Sequence, residues 1–243
     1  FGINHVAYAD DLTLYVNVQS DTKSSLQSVS NCSSAVSKWF MLNDLLLNPT
    51  KSEAMFVGTR QQTNSISGEQ VIVAGSAIQP SSHVKLLGVT FDCNLTFNQH
   101  VADVCKSTFC HVKALRHIRK CIDLSTANTI ACSFVASRLD YCNSVYAGMS
   151  DYNINRLQRV QNSVAKIVKM KQNRTSALKT LKELHWLPIS RRIDYKIAVM
   201  THKILTSGQP SYLRSLLEPV IPVRSLRSSS NGLSLTVPFC KTA

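Results

Sequence analysis

Near residue 98 the spacing of hydrophobic positions changes in this 243-residue chain. Upstream, short apolar runs sit between clusters of Gly, Pro, Asn, Asp and Ser, as strands and hairpins do. Downstream, apolar residues recur at three and four, the spacing of one helix face. Residues 6–8 and 12–18 read as two strands, with Asp10 and Asp11 at the turn between them. Ser20, Asp21 and Thr22 form a helix start signal. Leu26, Val29, Val36, Trp39 and Phe40 carry that helix to about Asn43. The stretch LLLNPTKSEAMFVG turns at Asn48 and Pro49 and is expected to enter a strand at residues 53–57. VIVAGSAI is expected to be a hairpin turning at Gly75 and Ser76, and VKLLGVTFD a strand interrupted by Gly88.

Five helices are expected next. Val101, Val104, Thr108, Val112, Leu115 and Ile118 mark the first, and residues 125–139 the second. The third carries Ile154, Leu157, Val160, Val164 and Ile167; the fourth covers about 175–184. The fifth follows Pro188, with Ile193, Ile197, Met200 and Ile204 on one face. Beyond Gly208, Pro210, Pro219, Pro222 and the tract RSLRSSSNG read as loop. The fold class is therefore α/β then all-α, with units at residues 1–97 and 98–206 and a loop-rich tail at 207–243.

Charge sharpens that division. The net charge of +13 splits into −2 on residues 1–100 and +15 on residues 101–243. Because the cations recur on helices, the second unit is expected to face a polyanion. Hydrophobic content of 44% allows a packed core, and no apolar run approaches the ~18 residues of a membrane span. The eight cysteines contain no CxxC pair. Together with the lack of a visible signal peptide, this points to a reduced, intracellular protein. The chain opens at Phe1 inside a strand-like pattern, so it is expected to be a fragment of something longer.

The chemistry starts at HVAYADDLTLYV. Aspartate disfavours strands and repels an identical neighbour, so two together on a strand turn need a reason. Mg²⁺ supplies one, since it takes hard oxygen ligands, commonly one or two carboxylates plus substrate phosphates. Two such ions about 3.5–4 Å apart can activate a hydroxyl and stabilise a leaving oxygen in phosphoryl transfer. A zinc reading of Cys105, Cys110, His111, His117 and Cys121 fits no standard finger, because the stretch is one amphipathic helix. The same helix carries Lys106, Lys113, Arg116, Arg119 and Lys120, which suit phosphate contact. His185 and Trp186 read as a packed helix corner. No nucleophile elbow or glycine-rich phosphate loop is present in the sequence.

Tyr8, Ala9, Asp10 and Asp11 between apolar strands resemble the YxDD box of reverse transcriptases, and further blocks follow in that family's order. LLLNPTKSEAMFVG resembles the fourth palm motif, with its lysine at Lys51. VKLLGVTFDCNLTFNQHV resembles the primer-grip segment, with Gly88 at its bend. SRLDYCNSVYAGM, LQRVQNSVAKIV and LHWLPISRRIDYKIAVMTHKIL resemble the region after the polymerase in non-LTR, jockey-like retrotransposons. The resemblance implies a partial polymerase palm, antiparallel strands plus helix, followed by a basic, thumb-like helical bundle. It implies an RNA-directed DNA polymerase using Mg²⁺ (two ions in the intact enzyme, Mn²⁺ being possible). It also implies an RNA template, a DNA primer and dNTPs as partners, in the nucleus and cytoplasm. Asp10 and Asp11 match metal ligands, Lys51 a proton donor to the leaving pyrophosphate, and Tyr8 and Gly88 contacts to the primer–template. Lys106, Lys113, Arg116, Arg119, Lys120, Arg156 and Arg159 would hold the duplex backbone. The family's other catalytic aspartate and its fingers lie upstream of this box and outside these residues, so the fragment alone is expected to be inactive. The alternative is a non-catalytic nucleic-acid-binding protein, or an inactive relic, derived from such an element.

Overall fold

A computed structural model describes residues 2–18, 21–66, 68–172, 174–220 and 234–236. Its described strands pair only as local hairpins, in three separate two-stranded antiparallel sheets. β1 (Asn4–Tyr8) pairs with β2 (Asp11–Tyr15), β3 (Val71–Val73) with β4 (Ser76–Ile78), and β5 (His83–Leu86) with β6 (Val89–Asp92). The second hairpin turns on Ala74 and Gly75, one residue earlier than the sequence suggests. Both carry positive φ, 49° and 81°, which matches a two-residue turn to the twist of its strands. VKLLGVTFD is not one strand. Leu86 sits opposite Val89, so Leu87 and Gly88, at φ 46° and 81°, close a tight turn. Residues 53–57 join no ladder. The segment is tied by isolated bonds, from the Ser81 N–H to the Ala54 carbonyl (2.8 Å) and from the Gly58 N–H to the Cys93 carbonyl (3.0 Å).

α1 (Thr22–Leu42) starts at Asp21, whose carboxylate accepts from the Ser24 N–H at 3.2 Å; Ser20 lies outside the described residues. Of its apolar face only Leu26 is buried, and Trp39 is 58% exposed. The short α2 (Arg60–Ser65) begins with a reciprocal capping pair, Thr59 and Gln62.

The core lies in the helical part. α3 (Asn98–Ile118) packs Val101, Cys105, Val112 and Leu115 against Leu157, Val160, Val164 and Val168 of α6 (Asp151–Val168). Between them runs α4 (Leu124–Ala131), which continues through a π turn at Cys132–Ala136 into α5 (Ser137–Asp140). The π turn still buries Val135 and lets Ala127, Ala131 and Leu139 stay on the core side. α7 (Ala177–Glu183) ends at His185 (φ 56°), and the Trp186 N–H returns to the Leu181 carbonyl at 2.9 Å. Trp186 then lies in the core, as a packed corner requires. α8 (Ile189–Ser207) buries Ile193 and Ile204 but leaves Ile197 37% exposed. Its Arg192 pairs with Asp140. A short α9 (Ser211–Arg214) occupies the stretch expected to be loop, and RSLRSSSNG falls outside the described residues. No helix among the described residues is long and apolar enough to cross a membrane.

Two buried polar groups join the hairpins to the bundle. Asp92 accepts from the N–H groups of Asn94, Thr96 and Phe97 and from the Thr96 hydroxyl, at 2.6 to 3.2 Å. Burial pushes its carboxyl up, but these donors outweigh it and hold the group below its ordinary value. His100 accepts from the Thr90 N–H on Nδ1 (3.3 Å), so Nε2 carries the proton toward the Tyr146 hydroxyl (2.9 Å). Burial lowers the imidazole and pushes Tyr146 up to about 12, which favours the neutral pair.

Candidate nucleic-acid interface and aspartate turn

The β1–β2 register sets Tyr8 directly opposite Asp11, leaving Ala9 and Asp10 as the turn. Ala9 has φ 53°, the positive value a two-residue hairpin turn needs at its first position. The two carboxylates are therefore adjacent at one end of a hairpin, exposed, with no hydrogen bond or ion pair to a described residue. Tyr8 is 66% exposed. Lys51 ends a 3-10 turn at Pro49–Lys51 whose start is capped by Asn48. It is exposed and makes no ion pair with either aspartate among the described residues.

Gly88 is where the structure adds a residue that sequence reasoning missed. A Cβ on Gly88 would meet the Tyr141 ring at 3.4 Å, and the Tyr141 hydroxyl donates to the Leu87 carbonyl at 2.6 Å. Tyr141 thus buttresses the β5–β6 turn across 54 residues of sequence. Its phenol is pushed up, most by the Cys142 thiol. Tyr141 sits inside SRLDYCNSVYAGM, and only its place in that block could have drawn attention to it.

The cations fall into three groups. Lys106 and Lys113 stand exposed on the outer face of α3. Arg116, Lys120 and Arg159 line an open groove of about 730 Å³ between the end of α3 and α6, where Lys166 and Lys171 join them. Among the described residues no carboxylate lines that groove, though Lys171 pairs with Glu183 at 3.3 Å. Arg119 needs correction, because its guanidinium is occupied within the protein, whereas half-buried Arg156 has one guanidinium nitrogen engaged there. Arg119 is 9% exposed. It donates through Nε and Nη2 to the Val168 carbonyl (2.9 and 2.8 Å) and through Nη1 to the Ile122 carbonyl (2.8 Å). Arg156 lies over the Tyr152 ring at 5.6 Å and donates to the Asn98 carbonyl and Asn153 Oδ1, both at 3.3 Å. Counting basic residues along a helix does not separate such structural arginines from solvent-facing ones.

Over 138 residues, 54% of this chain, the sequence is 30% identical to a probable RNA-directed DNA polymerase from transposon X-element of Drosophila melanogaster. The likeness is to a reverse transcriptase. The chain spans only 14% of the length of that curated relative. No protein-family model matches the chain, and no solved structure does. The chain is accordingly a distant, partial relative of a retrotransposon polymerase, of reverse-transcriptase-related origin.

Against that origin the aspartate turn can be tested as a cation site. Two adjacent exposed carboxylates fit the carboxylate share of a Mg²⁺ site, whose remaining positions go to water and substrate phosphates. Among the described residues no group of three or more His, Cys, Asp or Glu could hold a metal ion by itself. The Cys105-to-Cys121 helix gives no zinc set: Cys105 is buried, and burial pushes its thiol up, whereas Cys110 and Cys121 are exposed.

Proposed function

We propose that this chain is the C-terminal part of the polymerase of a non-LTR, jockey-like retrotransposon, comprising part of a palm, a primer-grip hairpin and a basic helical thumb. The observation that carries the reading is the β1–β2 register, which presents Tyr8, Asp10 and Asp11 together at an exposed turn with both carboxylates unpaired among the described residues. Asp10 and Asp11 would hold Mg²⁺ or Mn²⁺, which when bound activates a primer 3′-hydroxyl and stabilises the leaving oxygen. Lys51 carries the proton for the pyrophosphate on its Nζ. The turn at Leu87 and Gly88, braced by Tyr141, sets the primer end. Lys106 and Lys113, exposed on the outer face of α3, hold an RNA–DNA duplex by its phosphates, which needs no base readout, and Arg116, Lys120 and Arg159 in the groove offer further phosphate contacts to nucleic acid.

Fluorescence anisotropy with an RNA–DNA hybrid tests the helical half. Two lysine–phosphate contacts give a log–log salt slope near −1.8, so hybrid affinity should fall about tenfold between 50 and 200 mM salt. Charge reversal at Lys106 and Lys113 should flatten that slope. Affinity indifferent to salt and to these changes defeats the reading. The assembled cationic groove also favours a second reading, a nucleic-acid-binding derivative without catalysis.

A further inference from the structure

The groove between α3 and α6 differs in shape and lining from the outer face of α3. It is concave, and at about 730 Å³ it has the size of a small-ligand cleft, too small to admit a double helix. Arg116 and Lys120 come from one wall and Arg159 from the other, with Asn162 and Ser163 as neutral hydrogen-bonding groups between them. Arg119 lines the same groove, fixed by backbone carbonyls and with no carboxylate partner among the described residues.

The far end of the groove is apolar and strained. α6 closes with the Lys171 N–H on the Lys166 carbonyl (2.9 Å) and the Met170 N–H on the Ile167 carbonyl (3.0 Å). This is the helix ending that places glycine in the left-handed position. Here Met170 takes that position, at φ 51°, and is 59% exposed. A flexible apolar side chain held outward at a glycine position, next to half-buried Ile167 and a row of cations, gives a flat apolar contact beside a phosphate track.

We infer that this groove binds one strand of nucleic acid, its phosphates on Arg116, Lys120 and Arg159 and a base against Ile167 and Met170. The inference rests on the helical half being a nucleic-acid-binding unit and adds a single-strand site separate from the duplex face at Lys106 and Lys113. A cationic track with one apolar stacking surface is the chemistry by which single strands are held without sequence preference.

The test uses residues 1–243, a labelled oligouridylate and an RNA–DNA hybrid of equal length. Arg116→Ala with Arg159→Ala should weaken oligouridylate binding at least tenfold and lower its salt slope by about 1.4, two single-strand phosphate contacts' worth. Hybrid binding should change less than threefold. Lys106→Ala with Lys113→Ala should do the reverse. Met170→Gly relieves the left-handed strain, so it should raise the melting temperature while weakening oligouridylate binding about fivefold with the salt slope unchanged. A merely structural Met170 would leave the affinity alone. Equal losses on both ligands in the Arg116/Arg159 variant, or unaltered oligouridylate affinity in Met170→Gly, overturn the single-strand site while leaving duplex binding standing. Failure of the unmodified chain to bind either ligand overturns both.

Discussion

Replacing Arg119 with Met should unfold the bundle more readily. Val168 is the last residue of α6, so its carbonyl has no partner inside the helix. The earlier carbonyls of that last turn are taken: Ala165 by the Lys169 N–H, Lys166 by Lys171 and Ile167 by Met170. Arg119 supplies the Val168 carbonyl with two donors and the Ile122 carbonyl with a third. Met keeps the apolar stem and removes all three. Hydrogen bonds from a charged donor contribute about 1.5–3 kcal/mol, and three sharing one head group are not additive. A loss of about 3 kcal/mol is therefore expected for the group. With a urea m-value of about 2–3 kcal/mol/M, the midpoint should drop by about 1–1.5 M. Trp186, in the core, reports the transition by fluorescence, while Trp39 is exposed outside that core. Arg119→Lys should recover only part of the loss, since an ammonium cannot reproduce the fork. An unchanged midpoint joined to a tenfold loss of hybrid affinity refutes this argument and returns Arg119 to a phosphate-contact role.

Asp92→Asn should cost about 2 kcal/mol at pH 7, because three backbone N–H groups lose a charged acceptor. The folded carboxyl of Asp92 lies below its ordinary 3.8, so its contribution is present above that value and lost as pH falls through the folded value; acid titration of stability should be flatter in the variant. His100 titrates below its ordinary 6.5 when folded, so stability should decline as pH drops from 6.5 toward the folded value, and His100→Gln should remove that decline in a pH series of urea melts. Tyr141→Phe leaves the exposed Leu87 carbonyl to water and should cost about 1 kcal/mol, seen as faster amide exchange at the β5–β6 turn.

Helices were the most legible part of this chain. Thr108, Val112 and Leu115 recur at helical spacing because burial against α6 demands it, and they are buried. The tight turn at Leu87 and Gly88 was not legible, since a leucine at positive φ carries no composition signal and no polar residue separates Leu86 from Val89. Residues 53–57 have strand-like composition, yet pairing depends on a partner edge that a local pattern cannot supply. In the candidate site, the Asp10 turn followed from its flanking strands alone. The fates of Arg119 and Arg156 did not, because whether a guanidinium faces solvent or a carbonyl depends on residues up to 58 positions away. The same long-range dependence hid Tyr141 behind Gly88.

Primer extension tests the central claim most directly. Two carboxylates on one turn supply only part of a two-metal site, so residues 1–243 alone should not extend a DNA primer on an RNA template with Mg²⁺ and dNTPs. A longer protein that carries the segment upstream of Phe1 should extend it. There Asp10→Ala should abolish extension, and Lys51→Ala should slow it without abolishing it. Full activity of the longer protein with Asp10→Ala, or extension by residues 1–243 alone, contradicts the account.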